Sequence, residues 1–562
     1  ANHSAHRFLS DSYAALPRHE IARVSELLQY QLLQPINIAP LQPRLAESNL
    51  LAISAGGPSN LSFNEFNPLF ERDRAALQAS GVVGENGTRG EEIVISGLYR
   101  KVSLSVGQFH DETDGFRVNN DVTNDIYNAF VQYRLSPKTS IQAEYRHRKL
   151  EIGDLELRFF DDFSPNLRQE DKTDFARLGL RHAFSPNSNL LASIMYQKQD
   201  AELKDQFPIG IPNSFDVKSD QKAGGGELQH LYRSSAFNIV SGAGYFKVNG
   251  QDTSDFSIVD PDAGLIQFPT ETADRDTKHM NLYVYTYLNF LKNVTFTAGA
   301  SFDKVENEQA ENFDKDQFNP KLGITWNPVP GTTLRAAAFR ALKRTLITSQ
   351  TLEPTQVAGF NQFFDDVNST ESWRYGVAVD QKIGPVAYGG LELSQRDLKI
   401  PTPVAGVFPT DNFDGEEKTG RAYLYGAPHK WLALSGEYLY ERFERDERSS
   451  NAKTLETHRF PLGINVFHPS GLSATFKATY FDQKGSFLPQ GLDPLPENLV
   501  SGKDDFWLCD AAIGYRLPQR FGIISVGAKN LFDKSFRFFD TDPLNPAIQP
   551  KRMIFMRVTL SI

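Results

Sequence analysis

The side chains that could do chemistry are scattered through this chain. Its 11 histidines form no His-x-x-x-His pair and no cluster with Cys509, so no metal centre is expected. With Cys509 as the lone cysteine, no disulfide can form within the chain. Ala223-Gly224-Gly225-Gly226 lies in a strand-like region and not ahead of a helix, where a glycine-rich loop would cradle phosphate. Glycines in a strand more often mark a bend or a close backbone approach. The acidic stretch 303–316 reads as a solvated loop, with cation binding as its alternative. Asn86-Gly87-Thr88 and Asn293-Val294-Thr295 match a glycosylation pattern short enough to arise by chance. A formal charge of −10 argues against a nucleic-acid partner, which would call for a basic stripe. Nothing here indicates an enzyme, and no cofactor is expected.

The elements that position these groups repeat without change from about Arg74 to Ile562. Val102, Leu104 and Val106 alternate with Ser103, Ser105 and Gly107. Ile141, Ala143 and Tyr145 alternate with Gln142, Glu144 and Arg146. Period two puts each set on one face of a strand. The chain is 40% hydrophobic and 12% aromatic with a mean hydropathy of −0.41, and no run approaches the ~18 apolar residues of a membrane helix. Membrane barrels combine these features, because one strand face meets lipid and the other water. At the end of the chain Ile554, Met556, Val558 and Leu560 are the expected lipid-facing set, with Arg557 and Thr559 facing the lumen.

Short turns, such as 136–138, 185–188, 328–331, 468–471 and 517–520, alternate with long polar loops at 155–172, 251–277, 346–371, 401–419 and 485–503. An array of soluble β-sandwiches would share the composition but has no reason to segregate its loops by length. The expected fold is therefore all-β: a transmembrane antiparallel β-barrel of about 22 strands over residues 74–562, its first strand near Ala75 to Val83. Long loops are expected outside the cell and both barrel ends on the periplasmic side. The expected surroundings are outer-membrane lipid and lipopolysaccharide.

Residues 1–33 read differently. Ser4 to Leu16 and Arg18 to Leu33 suit two helices, the second with Ile21, Val24, Leu28 and Leu32 at helical spacing between Pro17 and Pro35. Arg7-Phe8-Leu9 through Tyr13-Ala14 looks like the second half of a tetratricopeptide repeat. Such a hairpin is one unit of a solenoid and a handle for a periplasmic or surface protein partner. The alternative is a simple helical lead packed on the barrel mouth. Residues 34–73 are a linker whose Leu51, Ile53, Leu61, Phe63, Phe66, Leu69 and Phe70 are too apolar for a free tether. Phe63, Phe66, Leu69 and Phe70 are the candidate lumen-occluding residues. Ala1 follows neither an initiator Met nor a secretory leader, as expected of a processed chain or of its ordered part alone.

Several segments resemble the barrels of TonB-dependent receptors. They are Asp114-Gly115-Phe116-Arg117, then Phe318-Asn319-Pro320-Lys321-Leu322-Gly323 through Pro328 with Leu334-Arg335-Ala336-Ala337. Glu371-Ser372-Trp373-Arg374-Tyr375-Gly376 follows, and then Gly527-Ala528-Lys529-Asn530-Leu531-Phe532-Asp533-Lys534 in the penultimate strand. All occur in the family's order. The resemblance implies the barrel fold and an outer-membrane location. It also implies an N-terminal plug, which the about forty residues before the first strand cannot make, being close to the minimum for any folded unit. The final Ile562 also departs from the aromatic residue usual in the class.

Three functions follow. The first is a plugless conduit for a bulky cargo, coupled to periplasmic helical repeats, and it is the preferred one. The others are a TonB-dependent uptake receptor and a non-transporting outer-membrane anchor. The cargo itself is not legible in the sequence.

Overall fold

The computed structural model describes residues 20–37, 70, 72–160, 162–207, 213–260, 262–307, 314–401, 412–445, 452–489, 498–541 and 548–562. The expected first helix (Ser4 to Leu16), Phe63, Phe66 and Leu69 lie outside these residues.

The main sheet has 23 strands. One of them, Gly264–Gln267, only prolongs a hairpin, and the other 22 close into an antiparallel barrel. The first strand, Arg74–Gly84, pairs with the last, Met553–Ser561, from Gln78↔Ser561 to Gly84↔Phe555. Closure leaves no unpaired edge to template aggregation and satisfies every strand's hydrogen bonds within the wall.

The two rims differ as the turn lengths suggest. On one rim no connection exceeds five residues, as at 100–101, 186–187, 327–331 and 517–521. The opposite rim carries 153–167, 343–370 and 530–552. The strands run further towards this long-loop rim than expected. Phe237–Asp260 pairs with Glu271–Leu291 from Ser254↔Glu271 downward, so most of the expected loop 251–277 is strand. Likewise Ala387–Pro401 and Asn412–His429 cut the expected loop 401–419 short. Above a membrane both faces of a hairpin meet water, so polar residues can continue a ladder that the apolar pattern no longer marks. Lys198–Asp200, Lys204–Glu202 and Lys218–Glu202 ion pairs lie on this extension.

The outer wall carries an apolar band between two aromatic levels. Tyr133, Phe184, Tyr232, Phe290, Trp326 and Tyr515 are exposed near the short-turn rim. Tyr127, Tyr145, Tyr196, Tyr245, Trp373 and Trp507 are exposed about midway up the wall. Trp507 and Tyr515 share the strand Val500–Arg516, and eight residues at ~3.3 Å each separate the levels by about 26 Å along it. Exposed Leu178, Ile194, Leu228, Leu322, Leu393 and Ile513 fill the interval.

In the last strand Ile554, Met556 and Leu560 are exposed and Val558 is partly buried, all four on the outer face. Phe555 and Thr559 are buried on the inner face, where Arg557 stands opposite Val82 and lies within electrostatic reach of Glu92 and Asp111.

The expected second helix forms as α1 (Glu20–Leu33), with Pro35 two residues beyond it, where a proline cannot continue the helix. It is buried on most of its circumference: Ile21, Ala22, Val24, Ser25, Leu28, Tyr30, Gln31 and Leu32 are all inaccessible. A 14-residue helix is marginal alone in water, and its surroundings here supply its stability.

Candidate functional site

Those surroundings are the barrel lumen. The register fixes one continuous inward row around the wall. Gln132 faces Gln142, Gln142 faces Gly179, Gly179 faces Ser193 and Ser193 faces Glu227. The row continues through Gly244, Asn281 and Asp303. Leu28 and Leu32 of α1 pack against Leu191 and Leu231 of this inner face, and a Cβ on Gly179 would strike Leu32 at 2.7 Å. Where α1 ends, Asn37 N donates to Gln132 Oε1 at 2.6 Å and Ser103 Oγ donates to Asn37 O at 2.8 Å. Burial of each leucine contributes about 1.5–3 kcal/mol.

The long connection 343–370 enters the lumen from the opposite rim and meets α1. Thr351 N donates to Ser25 Oγ at 3.1 Å, Gln29 Nε2 donates to Leu352 O at 2.8 Å, and Thr355 Oγ1 donates to Glu26 Oε1 at 2.7 Å. On its other side the same turn is held by the wall. Glu227 accepts from Thr351 Oγ1 at 2.7 Å and from Leu352 N at 2.9 Å. Residues 351–353 are thus gripped by the helix on one side and by a wall carboxylate on the other. We refer to this as the clasp.

A buried charge network supports the clasp. Arg344 pairs with Glu353 and lies 3.6 Å from Asp303. Asp303 accepts from Asn319 Nδ2 at 2.7 Å and meets His279 Nε2 at 3.1 Å. Glu353 also binds Tyr285 Oη, and Lys321 Nζ donates to Arg340 O at 2.7 Å. Burial alone would lower the Arg344 pKa, but Glu353, Asp303 and Glu227 hold it above its ordinary value. Burial raises the Glu353 carboxyl and the Arg344 guanidinium opposes that rise. Burial also raises the Glu26 carboxyl, against the pull of the Thr355 hydroxyl.

Nearer the long-loop rim, a second layer crosses the lumen. Connection 153–167 reaches from one side of the barrel to the other, where Phe159 stacks on Phe487 with ring centroids 4.3 Å apart and Asp540 N donates to Leu157 O at 2.9 Å. A Cβ on Gly502 would meet the Phe159 ring at 2.2 Å, so this close approach requires glycine. Asp154 is the hub of the crossing. Its carboxylate takes Arg158 Nη1 at 2.7 Å and Ser164 N at 2.6 Å. Arg117, from the early motif, donates to Glu156 O at 2.7 Å.

Among the described residues, no group of three or more His, Cys, Asp or Glu side chains could hold a metal ion. The arrangement is that of a lumen occupied by α1 and by two connections from the long-loop rim. The family described as TonB dependent receptor-like, beta-barrel matches residues 108–531, well over half of the chain.

The chain belongs to this family.

Solved barrels agree in fold. The unliganded ferric citrate transporter FecA superposes with a TM-score of 0.66 at 13% identity, covering 88% of this chain and 79% of that one. The siderophore receptor PiuA from Acinetobacter baumannii gives 0.65 at 12%, covering 88% and 82%. The iron transporter FrpB from Neisseria meningitidis gives 0.65 at 12%, with the same coverage. No curated protein matches this sequence.

The family's late motif takes a different place from the one expected. The penultimate strand ends at Lys529, and Asn530 organises the connection after it. Its amide donates to Lys534 O at 3.0 Å and to Pro550 O at 3.1 Å, and its carbonyl accepts from Lys534 N at 2.8 Å. Of the candidate occluding residues, Phe70 is described. It is buried against Ala76 and Leu98 at the start of the barrel, with Ile36 beside it and Arg74 over its ring at 5.8 Å. Glu227, Asp303, Arg344 and Glu353 were missed as site residues. Their signal was charge at inward parity in Glu227 and Asp303, but nothing local places Arg344 and Glu353 inside the barrel.

Proposed function

We propose that this outer-membrane barrel is a conduit for a bulky cargo, with the clasp between α1 and 343–370 as its gate. The long-loop rim faces outward, and the chain ahead of α1 serves as a periplasmic helical-repeat handle for a protein partner. The observation that carries this reading is the helix seated in the lumen and bonded to residues 351–355. A pull or push on α1 from the periplasmic side would act directly on the connection that descends from the other rim. The segment with Phe63, Phe66, Leu69 and Phe70 belongs to the same obstruction, a reading supported by the burial of Phe70 beside Ile36.

The experiment is single-channel recording in planar bilayers. Leu28→Asp with Leu32→Asp puts two charges into an apolar contact, undocks α1 and raises conductance. Unchanged conductance in a properly assembled barrel would remove α1 from the gate.

The exposed face of Ile554, Met556, Val558 and Leu560 meets lipid in this reading. Met556→Arg impairs assembly by about 2–4 kcal/mol if it lies near the midplane, and wild-type assembly would place it elsewhere. A second reading, energised uptake, is favoured by the names of the neighbours, a ferric citrate transporter, a siderophore receptor and an iron transporter. It predicts TonB-dependent accumulation of an iron complex, whereas the conduit operates without TonB.

A further inference from the structure

The gate accounts for one side of the lumen and leaves the other to be explained. On the strands that face α1 and 343–370 the inward side chains are inaccessible: Ser193 is 1% exposed, and Arg177 and Glu144 are equally buried. Strands Asn412–His429, Leu432–Arg445, Ala452–Phe467, Leu472–Phe487, Val500–Arg516 and Gly522–Lys529 differ. At mid-depth their inward charges stay partly open: the Arg421 and Asp510 side chains are each 29% exposed, Glu437 21% and Lys529 20%, while Glu417 nearer the long-loop rim is buried against Arg396. Arg459 and Lys477 are likewise only partly buried.

These six side chains form a row on the inner wall. Arg421 Nε lies 3.1 Å from Glu437 Oε2 and Lys529 Nζ 3.5 Å from Asp510 Oδ2. Lys477 stands directly across the strand pair from Asp510, within electrostatic reach of Arg459, Glu437 and Lys529. Four cations face two carboxylates, so the row is net positive. Nearer the long-loop rim the same strands point Glu441 and Asp504 inward, which places the cationic stretch in the deeper part of the lumen and not at its mouth. Charge in a confined, low-dielectric passage acts on whatever crosses it far more strongly than the same charge on an open surface.

We propose that the route through the barrel runs off-centre, along strands 412–529, and that this row makes it select anionic cargo. The inference rests on the conduit reading and deepens it.

Two measurements test it, both with Cys509→Ser. In the first, single cysteines are placed at Lys477 and Ser193 and treated with methanethiosulfonates of opposite charge. Lys477→Cys is expected to react, faster with the anionic reagent by on the order of tenfold, while Ser193→Cys stays protected. Equal protection of both, or preference for the cationic reagent, overturns the proposal whether or not the barrel conducts.

In the second, the reversal potential of the Leu28→Asp/Leu32→Asp protein is recorded across a KCl gradient. Chloride is expected to be the more permeant ion, with the preference lost in Arg459→Gln/Lys477→Gln. Conduction without that preference, or a preference untouched by the double substitution, overturns the anionic route and leaves the conduit standing. No conduction at all overturns both.

Discussion

The two arcs of the lumen wall are built from the same residue types and differ in what lies against them. On the arc from Val102 to Leu342 the inward face is serine, asparagine, glutamine and charge, nearly all of it buried: Ser103, Ser105, Gln132, Glu227, Asp303 and Asn319 are each under 4% exposed. On the arc from Asn412 to Lys529 the mid-depth charges Arg421, Glu437, Asp510 and Lys529 remain partly open to the lumen, while Glu417, Thr457, Gln483 and Asn465 above and below them are buried. A polar lumen face is thus no guide to solvent. On the first arc it packs against α1 and 343–370, and on the second it lines the route proposed above. Burying polar groups is tolerable only when each finds a partner: Thr351 and Leu352 supply one for Glu227, Arg344 for Asp303, and the residues just after α1, Gln34 and Asn37, for Gln132.

The comparison is broken most severely by removing the cation at the centre of the covered arc. Arg344→Ala leaves Glu353, Asp303 and Glu227 close together with one fewer counter-charge. Breaking a buried pair in this way costs about 3–5 kcal/mol. The connection 343–370 is expected to leave the lumen and become sensitive to protease, with the barrel intact. Continued protection would show that the network does not hold the clasp.

A milder test sets the arcs side by side. Ser193→Arg forces a long side chain under α1, an overpacking cost of about 1–3 kcal/mol. Ser435→Arg, inward but partly open on the other arc and facing Tyr425 and Gly463, should stay within about 0.5 kcal/mol. Thermal unfolding in detergent reads both, and equal losses would erase the distinction between the arcs.

The smallest effect is that of pH. Because burial raises the Glu26 pKa above its ordinary value, docked α1 holds a proton more tightly than released α1. Docking from this group is therefore fully present below the ordinary glutamate pKa and weakens as pH rises through the raised one. Open probability should rise over that interval, and Glu26→Gln should flatten the rise. A steeper dependence in Glu26→Gln would assign the titration elsewhere.

The barrel was legible because its cause is local. Alternation in 102–107, 141–146 and 554–562 and the turn residues at 136–138 or 468–471 specify strands and hairpins without help from distant residues. The helix over Glu20–Leu33 was legible for the same reason. Its location was not, because apolar residues at helical spacing record that a face is buried and not what buries it. The descent of 343–370 was equally hidden. Its Arg344, Thr351 and Glu353 look like any polar loop, and only pairing with Asp303, Ser25 and Glu227, each distant in sequence, gives them a place. The extensions beyond the aromatic levels were read as loops because the apolar signal stops where lipid would stop, although the hydrogen-bonded ladder continues.

The central claim is that α1 and the descending connection close the lumen together. Glu26→Cys with Thr355→Cys, in a Cys509→Ser background, places two thiols on side chains of α1 and the connection that face each other. Thr355 Oγ1 and Glu26 Oε1 are now 2.7 Å apart, and a bis-methanethiosulfonate bridges the two thiols through two reducible disulfides. Single-channel recording of this protein should show a closed barrel when crosslinked and stepwise openings once a reductant is added. Identical conductance in the crosslinked and reduced states, with the crosslink verified, would contradict the gate.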